Sequence, residues 1–580
     1  MANSYTDVRE LKFHLDHPLM RRIAELKEQD YADAGKYDYA PLDFEDAMDS
    51  YDKVLEIVGD INANIIAPNA ESVDAEGPHV ENGRVRYADR TYENLDATTK
   101  AGLNGMTMPR RYGGLSLPVV VYTAANEIVS AGDAGFENVW SLQDCIETLY
   151  CFGTEEQRQK YIPRVCAGET MSMDLTEPDA GSDLQSVMLR ASFDESENCW
   201  RLNGVKRFIT NGDSDIHLVL ARSEEGTRDG RGLSMFIYDK KSGGVDVRRI
   251  ENKLGIHGSP TCELTFRNAK AEICGDRKLG LIRYVMSLMN GARLGIAAQS
   301  VGIQQAAYEE ALAYARDRRQ YGREIINFPA VYDMIATIKA RLDAGRSLLY
   351  QCARYVDIYK ALEDIQRSRQ LCPEERSEMK KYQRLADAFT PLAKGMNSEY
   401  CNQSAYDCIQ IHGGSGYMQE YKCQRLYRDA RITSIYEGTT QLQVVAALRY
   451  ITNGTYLNVI NDLNAELDER VNAVEDGGKK SEFLAYVERI NEMKATLEDC
   501  VEFVKLQDNQ DVLDFCGRKL YEITAYTIMC QLLLLDTVRC EELFGASLVV
   551  FFNHAEAEVA RHSKYVHGMN ADVLASYVRS

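Results

Sequence analysis

Between Phe44 and Gly168 apolar residues recur every three or four positions, as in YDKVLEIVGDINANIIAP, where Val54, Ile57, Val58, Ile61 and Ile65 fall on one helical face. This zone reads as helical. From Met171 to Cys274 the period shortens to two: WRLNGVKRFITNG, HLVLARS, LSMFIYDK, VDVRRI and CELTFRNAKAEI are alternating runs separated by turn residues. The pairs Asn203-Gly204 and Asn211-Gly212 are read as turns in a compact β domain. Helical spacing returns from Ile282 to Ile451, in AAQSVGIQQAAYEEALAYARDRRQYG and VYDMIATIKARLDAGRSLLYQCARYVDIYKALED. The charged run RSRQLCPEERSEMKK is expected to be an exposed connection between two of these helices. A fourth zone, with FLAYVERINEMKATLEDCVEFVKL and LYEITAYTIMCQLLLLDTV, is helical again, and its MCQLLLLD reads as a short helix core.

The order α, β, α, extra α gives expected segments 1–43 (an N-terminal extension), 44–168, 169–275, 276–451 and 452–580. A β block inserted between helical blocks argues against a doubly wound nucleotide fold. No Gly-x-Gly-x-x-Gly follows a strand, and no Walker-type Gly-Lys-Ser/Thr occurs.

Composition narrows the partners. A chain of 580 residues implies two or more domains, and a net charge of -21 argues against nucleic acid or an acidic membrane surface as a partner. Fifteen cysteines without a Cys-x-x-Cys pair fit reduced thiols, with neither a disulfide framework nor a metal site expected. The opening residues lack a basic segment followed by an apolar core, and no apolar run approaches the roughly 20 residues that span a bilayer. The terminal YVRS is not a peroxisomal ending of the Ser-Lys-Leu type. A cytoplasmic protein without a membrane span is the expectation.

Six phrases carry candidate chemistry. MDLTEPDAGSDL places Thr176 at a strand end, followed by a turn that exposes backbone N–H groups and the Ser182 hydroxyl. It can hold an anion or a polar ring edge, or simply connect strands. In VKRFITNG, Phe208 and Thr210 share one face of a strand, an aromatic ring beside a hydroxyl suited to a flat heteroaromatic ligand. RRQYG fits a basic helix end, and HGGSGY a loop needing positive φ angles. SLMNGARLG carries Arg293. In SIYEGTTQLQ, Glu437 precedes Gly438, and Thr440 with Gln443 has the spacing of a capping box for the next helix.

Taken in order, TEPDAGSD, FITNG, DRRQYGREI, IQIHGGSGYMQEY and LYRDARITSIYEGTTQLQ resemble the acyl-CoA dehydrogenase family over roughly residues 45 to 450. The resemblance implies a mainly α protein with a central β domain: an N-terminal helical domain, a middle β-barrel, a C-terminal helical bundle and here an additional C-terminal helical domain. It implies FAD as cofactor, with Leu175, Thr176, Gly181, Ser182, Phe208, Ile209 and Thr210 around the flavin and Thr210 placed for flavin N5. Arg318, Tyr321, Gln410, Ile411 and Gly414 would approach the dinucleotide from an adjacent subunit, and Thr439 and Gln441 complete the set. A homo-oligomer follows, a dimer rather than a tetramer.

For an acyl-CoA substrate the resemblance implies Ser182, Asn290, Arg293 and Gly438 as binding residues. Asn290 stands where many relatives carry Asp. Glu437 is implied as the catalytic base that removes the α-proton, with its own backbone N–H and a flavin ribityl hydroxyl on the thioester oxygen. Burial against substrate is expected to bring its pKa to roughly 6 to 7. Some branches place the base directly before the CoA-contacting arginine, but Ala292 stands there. Electrons would pass to an electron-transfer flavoprotein. The added C-terminal zone resembles a long branch that includes 3-methylthiopropionyl-CoA dehydrogenases. Two alternatives within the fold are an acyl-CoA oxidase using oxygen and a nucleic-acid-binding flavoprotein, the latter disfavoured by the acidic C-terminal zone.

Overall fold

A computed structural model describes residues 2–579. The chain forms two compact units, Met1–Ile303 with Asp364–Arg369 and Gln304–Glu363 with Gln370–Ser580. The helix Met286–Asp317 begins in the first and ends in the second. The architecture is mainly helical around one central sheet domain, with additional C-terminal helices.

In the first unit the two N-terminal helices are part of the core. Helices Arg9–Leu15 and Leu19–Lys27 bury Leu11, Leu15, Met20 and Ile23. Just beyond them, the buried Glu28 accepts hydrogen bonds from Arg110 Nη1 at 2.6 Å and from Tyr51 OH at 3.1 Å. Helix Phe44–Ile61 starts on an Asp43 cap whose side chain accepts from the Asp46 N–H. Its buried stripe is Tyr51, Leu55, Val58 and Ile61, whereas Ile57 is 45% exposed. The expected face is therefore displaced. A π turn over Asn62–Ile66 then inserts extra backbone, so that Ile66 rather than Ile65 is buried.

The sheet strands are Met171–Asp174, Arg190–Asp194, Cys199–Thr210, Ile216–Arg222, Leu233–Asp239, Val245–Ile250 and Thr261–Cys274. Ile216–Arg222 pairs with Leu233–Asp239, which pairs in turn with Thr261–Cys274, and this closes the sheet into a barrel. The two strands Ile216–Arg222 and Leu233–Asp239 are buried on both faces. Val219, Ala221, Phe236 and Tyr238 point into the barrel, while Leu218, Leu220, Met235 and Ile237 pack on Ile146, Leu149, Tyr161 and Ile162 of the helices. That double burial is why LVLA and MFIY are unbroken apolar stretches, not the alternating runs expected for these two strands. Asn203-Gly204 is not a turn. It lies inside strand Cys199–Thr210 at a register shift between Leu202 and Gly204, where Gly204 takes φ +143°.

The helices Pro329–Ser368, whose residues from Asp364 on belong to the first unit, and Pro373–His412, in the second unit, are each 40 residues long. The charged run between them is largely helical; only residues 369–372 form the connection, with Cys372 and Glu375 closing a capping box ahead of Pro373. Lys422–Thr433 and Thr440–Thr452 follow, then five helices from Thr455–Asn472 to Ala571–Arg579. MCQLLLLD belongs to the 30-residue helix Gln510–Arg539, which is buried continuously from Ile523 to Leu534 because neighbouring helices cover every side of it. Among the described residues no helix is long and apolar enough to cross a membrane. All fifteen cysteines are free thiols.

One ion pair ties this helix to the next and sets an acid limit. Burial alone would raise the Glu522 carboxyl, but hydrogen bonds from His562 and Arg518 outweigh it and hold it at about 2. A depressed carboxyl contributes stability above its unfolded value, and that contribution is lost as pH falls from about 4.5 towards 2. Glu522→Gln is expected to lower the melting temperature at pH 7 and to flatten its fall across that acid window, as read by circular dichroism.

Candidate active site

The TEPDAGSD turn and the FITNG strand, about 30 residues apart, are brought together in the first unit by a buried ion pair. Lys206 Nζ donates to Glu177 Oε1 at 2.9 Å and to the Leu175 carbonyl at 2.8 Å. The Arg207 N–H donates to the Thr176 carbonyl at 2.9 Å. Glu177 also accepts from the N–H groups of Met188 at 2.7 Å and Leu189 at 2.9 Å. These amides are satisfied by a carboxylate of the chain itself. Gly181 and Ser182 lie exposed beyond it.

A register shift between Lys206 and Ile209 explains the unusual inward lysine. Lys206 is fully buried, and burial lowers its pKa despite the neighbouring carboxylate. After the shift ordinary alternation resumes: Ile209 is buried, while Phe208 and Thr210 face the other way. Phe208 is 51% exposed at φ +60°, an apolar ring turned outward by left-handed backbone. The next residue after the strand, Asn211, is anchored through Tyr87 and the Pro260 carbonyl. An exposed aromatic face with Thr176 and Thr210 nearby in the same turn and strand fits the flat ring system of a flavin.

Arg293 and Asn290 lie one turn apart on the helix Met286–Asp317, with Arg293 Nη1 donating to Asn290 Oδ1 at 3.3 Å. Between them, a side chain at Gly291 would meet Asp144 Oδ2 at 3.2 Å.

In the second unit Glu437 lies in the loop 434–439, between helices Lys422–Thr433 and Thr440–Thr452. Glu437 has φ +53° and Gly438 φ +85°, two successive left-handed residues. A glutamate in that conformation is strained by about 1–2 kcal/mol and persists only when its surroundings impose it. They do so from one face of the helix Pro373–His412. Lys394 Nζ donates to the Gly438 carbonyl at 2.7 Å, Ser398 Oγ to the Thr433 carbonyl at 3.0 Å, and Asn402 Nδ2 to the Ala430 carbonyl at 3.1 Å. Their spacing of four aligns them along one stripe.

The helix after the loop is capped one residue earlier than the spacing suggested. Thr439 Oγ1 accepts from the Leu442 N–H at 3.3 Å, so Thr439 is the cap. Thr440 instead donates to Glu399 Oε1 at 2.6 Å, and its N–H closes the loop on the Ser434 carbonyl at 3.1 Å. Gln443 Nε2 reaches back to the Gly438 carbonyl at 2.9 Å. Gln441 is exposed.

RRQYG is a hairpin tip, not a helix end. Arg319–Gln320 pairs with Arg323–Glu324 around Tyr321 (φ +51°) and Gly322 (φ +80°). Arg318 is exposed and Tyr321 is 95% exposed. The segment Gly413–Tyr417 is a 3₁₀ turn in which Gly413 alone takes positive φ. Tyr314, four residues before Arg318 on the preceding helix, stacks on His412 at 4.0 Å between ring centroids and donates to Ser415 Oγ at 3.2 Å. Gln410 and Gly414 are exposed beside them, and Ile411 is buried.

Sequence reading missed Glu177, Lys206, Lys394, Ser398, Glu399 and Asn402. A signal for three of the helix residues existed: Lys394, Ser398 and Asn402 recur every four positions and so share one helical stripe.

Comparison with known proteins matches residues 49–169, 172–269 and 282–450 to the family profiles "Acyl-CoA dehydrogenase, N-terminal domain", "middle domain" and "C-terminal domain". Residues 452–574 match a further profile, "Acyl-CoA dehydrogenase C terminal". The chain is 34% identical over 432 residues to a 3-methylmercaptopropionyl-CoA dehydrogenase of Ruegeria pomeroyi, covering 70% of each. It is 33% identical over 359 residues to a caffeyl-CoA reductase-Etf complex subunit of Acetobacterium woodii, covering 60% of this chain and 87% of that one. An acyl-CoA dehydrogenase of Bacillus anthracis, solved with FAD, shares the fold with a TM-score of 0.74 at 24% identity, over 92% of this chain and 90% of that one.

Proposed function

Because the chain belongs to the acyl-CoA dehydrogenase family, we propose that this oxidoreductase introduces a trans-2 double bond into an acyl-CoA thioester, with Glu437 as the base. The observation that carries the reading is the imposed left-handed backbone at Glu437 and Gly438, locked through the Gly438 carbonyl by Lys394 and Gln443. Strain of this kind, enforced from several sides, is characteristic of functional positions.

FAD is the cofactor, and when bound it accepts the electron pair that leaves with the β-hydrogen. Phe208 and Thr210 offer it a ring face and a hydroxyl, supported from behind by the Glu177–Lys206 pair, with Leu175, Thr176, Gly181, Ser182 and Ile209 alongside. Glu437 removes the α-proton. Its backbone N–H donates to the thioester oxygen, where negative charge grows as that proton leaves. Gly438, without a side chain, leaves room for the acyl chain. Arg293 holds the CoA portion, oriented by Asn290, and Ser182 meets the pantetheine arm. Where Asn290 replaces a carboxylate, the hydrogen bond to Arg293 is kept and the charge is not. Thr439, in the loop that carries the base, and Gln441, in the first turn of the helix after it, contact the cofactor.

The electron acceptor in this reading is an electron-transfer flavoprotein, supported by the Etf-complex relative. The substrate is a short or modified acyl-CoA, supported by the methylmercaptopropionyl-CoA relative. The exposure of Arg318, Tyr321, Gln410 and Gly414 supports a homodimer in which these residues complete the partner's dinucleotide site. Arg318→Ala is expected to weaken FAD retention about tenfold, the value of one charge-assisted hydrogen bond, as measured by flavin released on dilution. Unchanged retention removes Arg318 from the cofactor site.

The reading is tested by anaerobic titration of the purified protein with a panel of short, branched and thioether acyl-CoAs, followed by flavin bleaching. At least one should bleach it, and reoxidation should be faster with electron-transfer flavoprotein than with oxygen. Absence of bleaching by every thioester rejects the function; faster reoxidation by oxygen favours an oxidase.

A further inference from the structure

Of the five helices after Thr452, Gln510–Arg539 packs on Pro373–His412, which braces the Glu437 loop, and on Thr440–Thr452, which follows that loop, all within the second unit. Two glycines permit the join. A side chain at Gly395, one residue after Lys394, would lie 2.2 Å from Tyr521 OH, and one at Gly517 would lie 3.0 Å from Leu448 and 3.5 Å from Val444. The helix Gln510–Arg539 therefore sits directly on Pro373–His412 and on Thr440–Thr452.

Polar contacts run through the same seam. Thr440 Oγ1 donates to Glu399 Oε1 at 2.6 Å, and the other oxygen of Glu399 meets Arg518 Nη2 at 3.4 Å. Arg518 Nε donates to Glu522 Oε1 at 2.8 Å, whose second oxygen meets the buried His562 Nε2 at 2.7 Å. In parallel, Tyr521 OH donates to the Pro391 carbonyl at 2.9 Å, one turn before Lys394. One path ends at the first residue of the helix after the loop, and the other at the turn that presents Lys394 to the Gly438 carbonyl.

We propose that Arg518 and Tyr521 of the C-terminal extension are positioning residues for the catalytic loop, and that the extension serves the reaction by fixing where the Glu437 carboxylate stands. Arg518 fixes Glu399 and thereby the Thr440 end of the loop; Tyr521 fixes the helix segment that carries Lys394 and thereby the Gly438 carbonyl. A loop held at both ends keeps two left-handed residues that a free loop would relax. The inference rests on Glu437 as the base.

The test is stopped-flow flavin reduction by the best acyl-CoA of the panel, with FAD content and acyl-CoA Kd measured on the same full-length preparations. Arg518→Met is expected to slow reduction about 10- to 100-fold while Kd stays within about twofold, because misplacing a base affects the chemical step more than binding. Arg518→Lys, which keeps a cation near Glu399, is expected to recover most of the rate. Tyr521→Phe, a smaller change that carries the test if Arg518→Met does not fold, is expected to slow reduction about fivefold. Wild-type rates in both Arg518→Met and Tyr521→Phe, or parallel loss of rate and binding, overturn the proposal, as does failure of Arg518→Lys to recover rate in a folded, FAD-replete protein. If no acyl-CoA bleaches the wild-type protein, the base assignment falls and this inference with it; if wild type is bleached and the variants match it, only this inference falls.

Discussion

Glu437→Gln is expected to slow flavin reduction by acyl-CoA at least about 10³-fold while FAD and acyl-CoA remain bound, since a positioned general base contributes 10²–10⁴ and glutamine cannot accept the proton. The amide keeps the size of the carboxyl and leaves the backbone contacts that fix the loop, from Lys394 and Gln443 to the Gly438 carbonyl, unchanged. Loss of reduction with retained binding therefore isolates the proton transfer. Two readouts sharpen the result. Exchange of the substrate α-proton with deuterated solvent should disappear with reduction, and the affinity for a non-oxidisable acyl-CoA analogue should stay within about threefold. Substantial residual turnover moves the base to another residue. Ala292, where a second family position lies, has no group to take that role.

The largest expected effect on stability is at Lys206. Lys206→Met leaves Glu177 buried without its cation, and breaking a buried pair from one side costs about 3–5 kcal/mol. Glu177 keeps its bonds from the Met188 and Leu189 N–H groups, which is why the carboxylate cannot simply turn out to solvent. The damage should reach the candidate flavin site, because Lys206, two residues before Phe208, also holds the Leu175 carbonyl. Differential scanning fluorimetry should show a melting temperature lower by several degrees, and purified protein should carry substoichiometric FAD. Adding Glu177→Gln should recover part of the loss, since the neutral side chain can still accept one backbone N–H but no longer buries a charge. An unaltered melting temperature for Lys206→Met would show that the pair contributes nothing net.

Much of the molecule was legible in its sequence because the signals are local. The change of period from about 3.6 to 2 and back located the barrel between helical zones, and separated motifs in a fixed order pointed to the family. Local signals failed where backbone departs from its ideal repeat. The π turn at Asn62–Ile66 moved the buried face by one residue, and the shifts at Gly204 and before Ile209 hid a bulge and an inward lysine inside one strand. At the Glu437 loop the cap fell on Thr439 because Thr440 had a partner, Glu399, 41 residues away.

By itself, the sequence determined the order of helical and β segments, the place of the FITNG strand and of the SIYEGTTQLQ loop with its acid, Glu437, and membership of the acyl-CoA dehydrogenase family. These are properties of neighbours along the chain. Tertiary structure alone decided what holds that acid in place: Lys394, Ser398 and Asn402 from one helix, Glu399 at the loop's far end, and Arg518 and Tyr521 from the C-terminal extension. Their partners lie 28 to 130 residues away. A one-dimensional pattern records which face of a helix is buried; which buried polar group meets which carbonyl is fixed only when the helices pack.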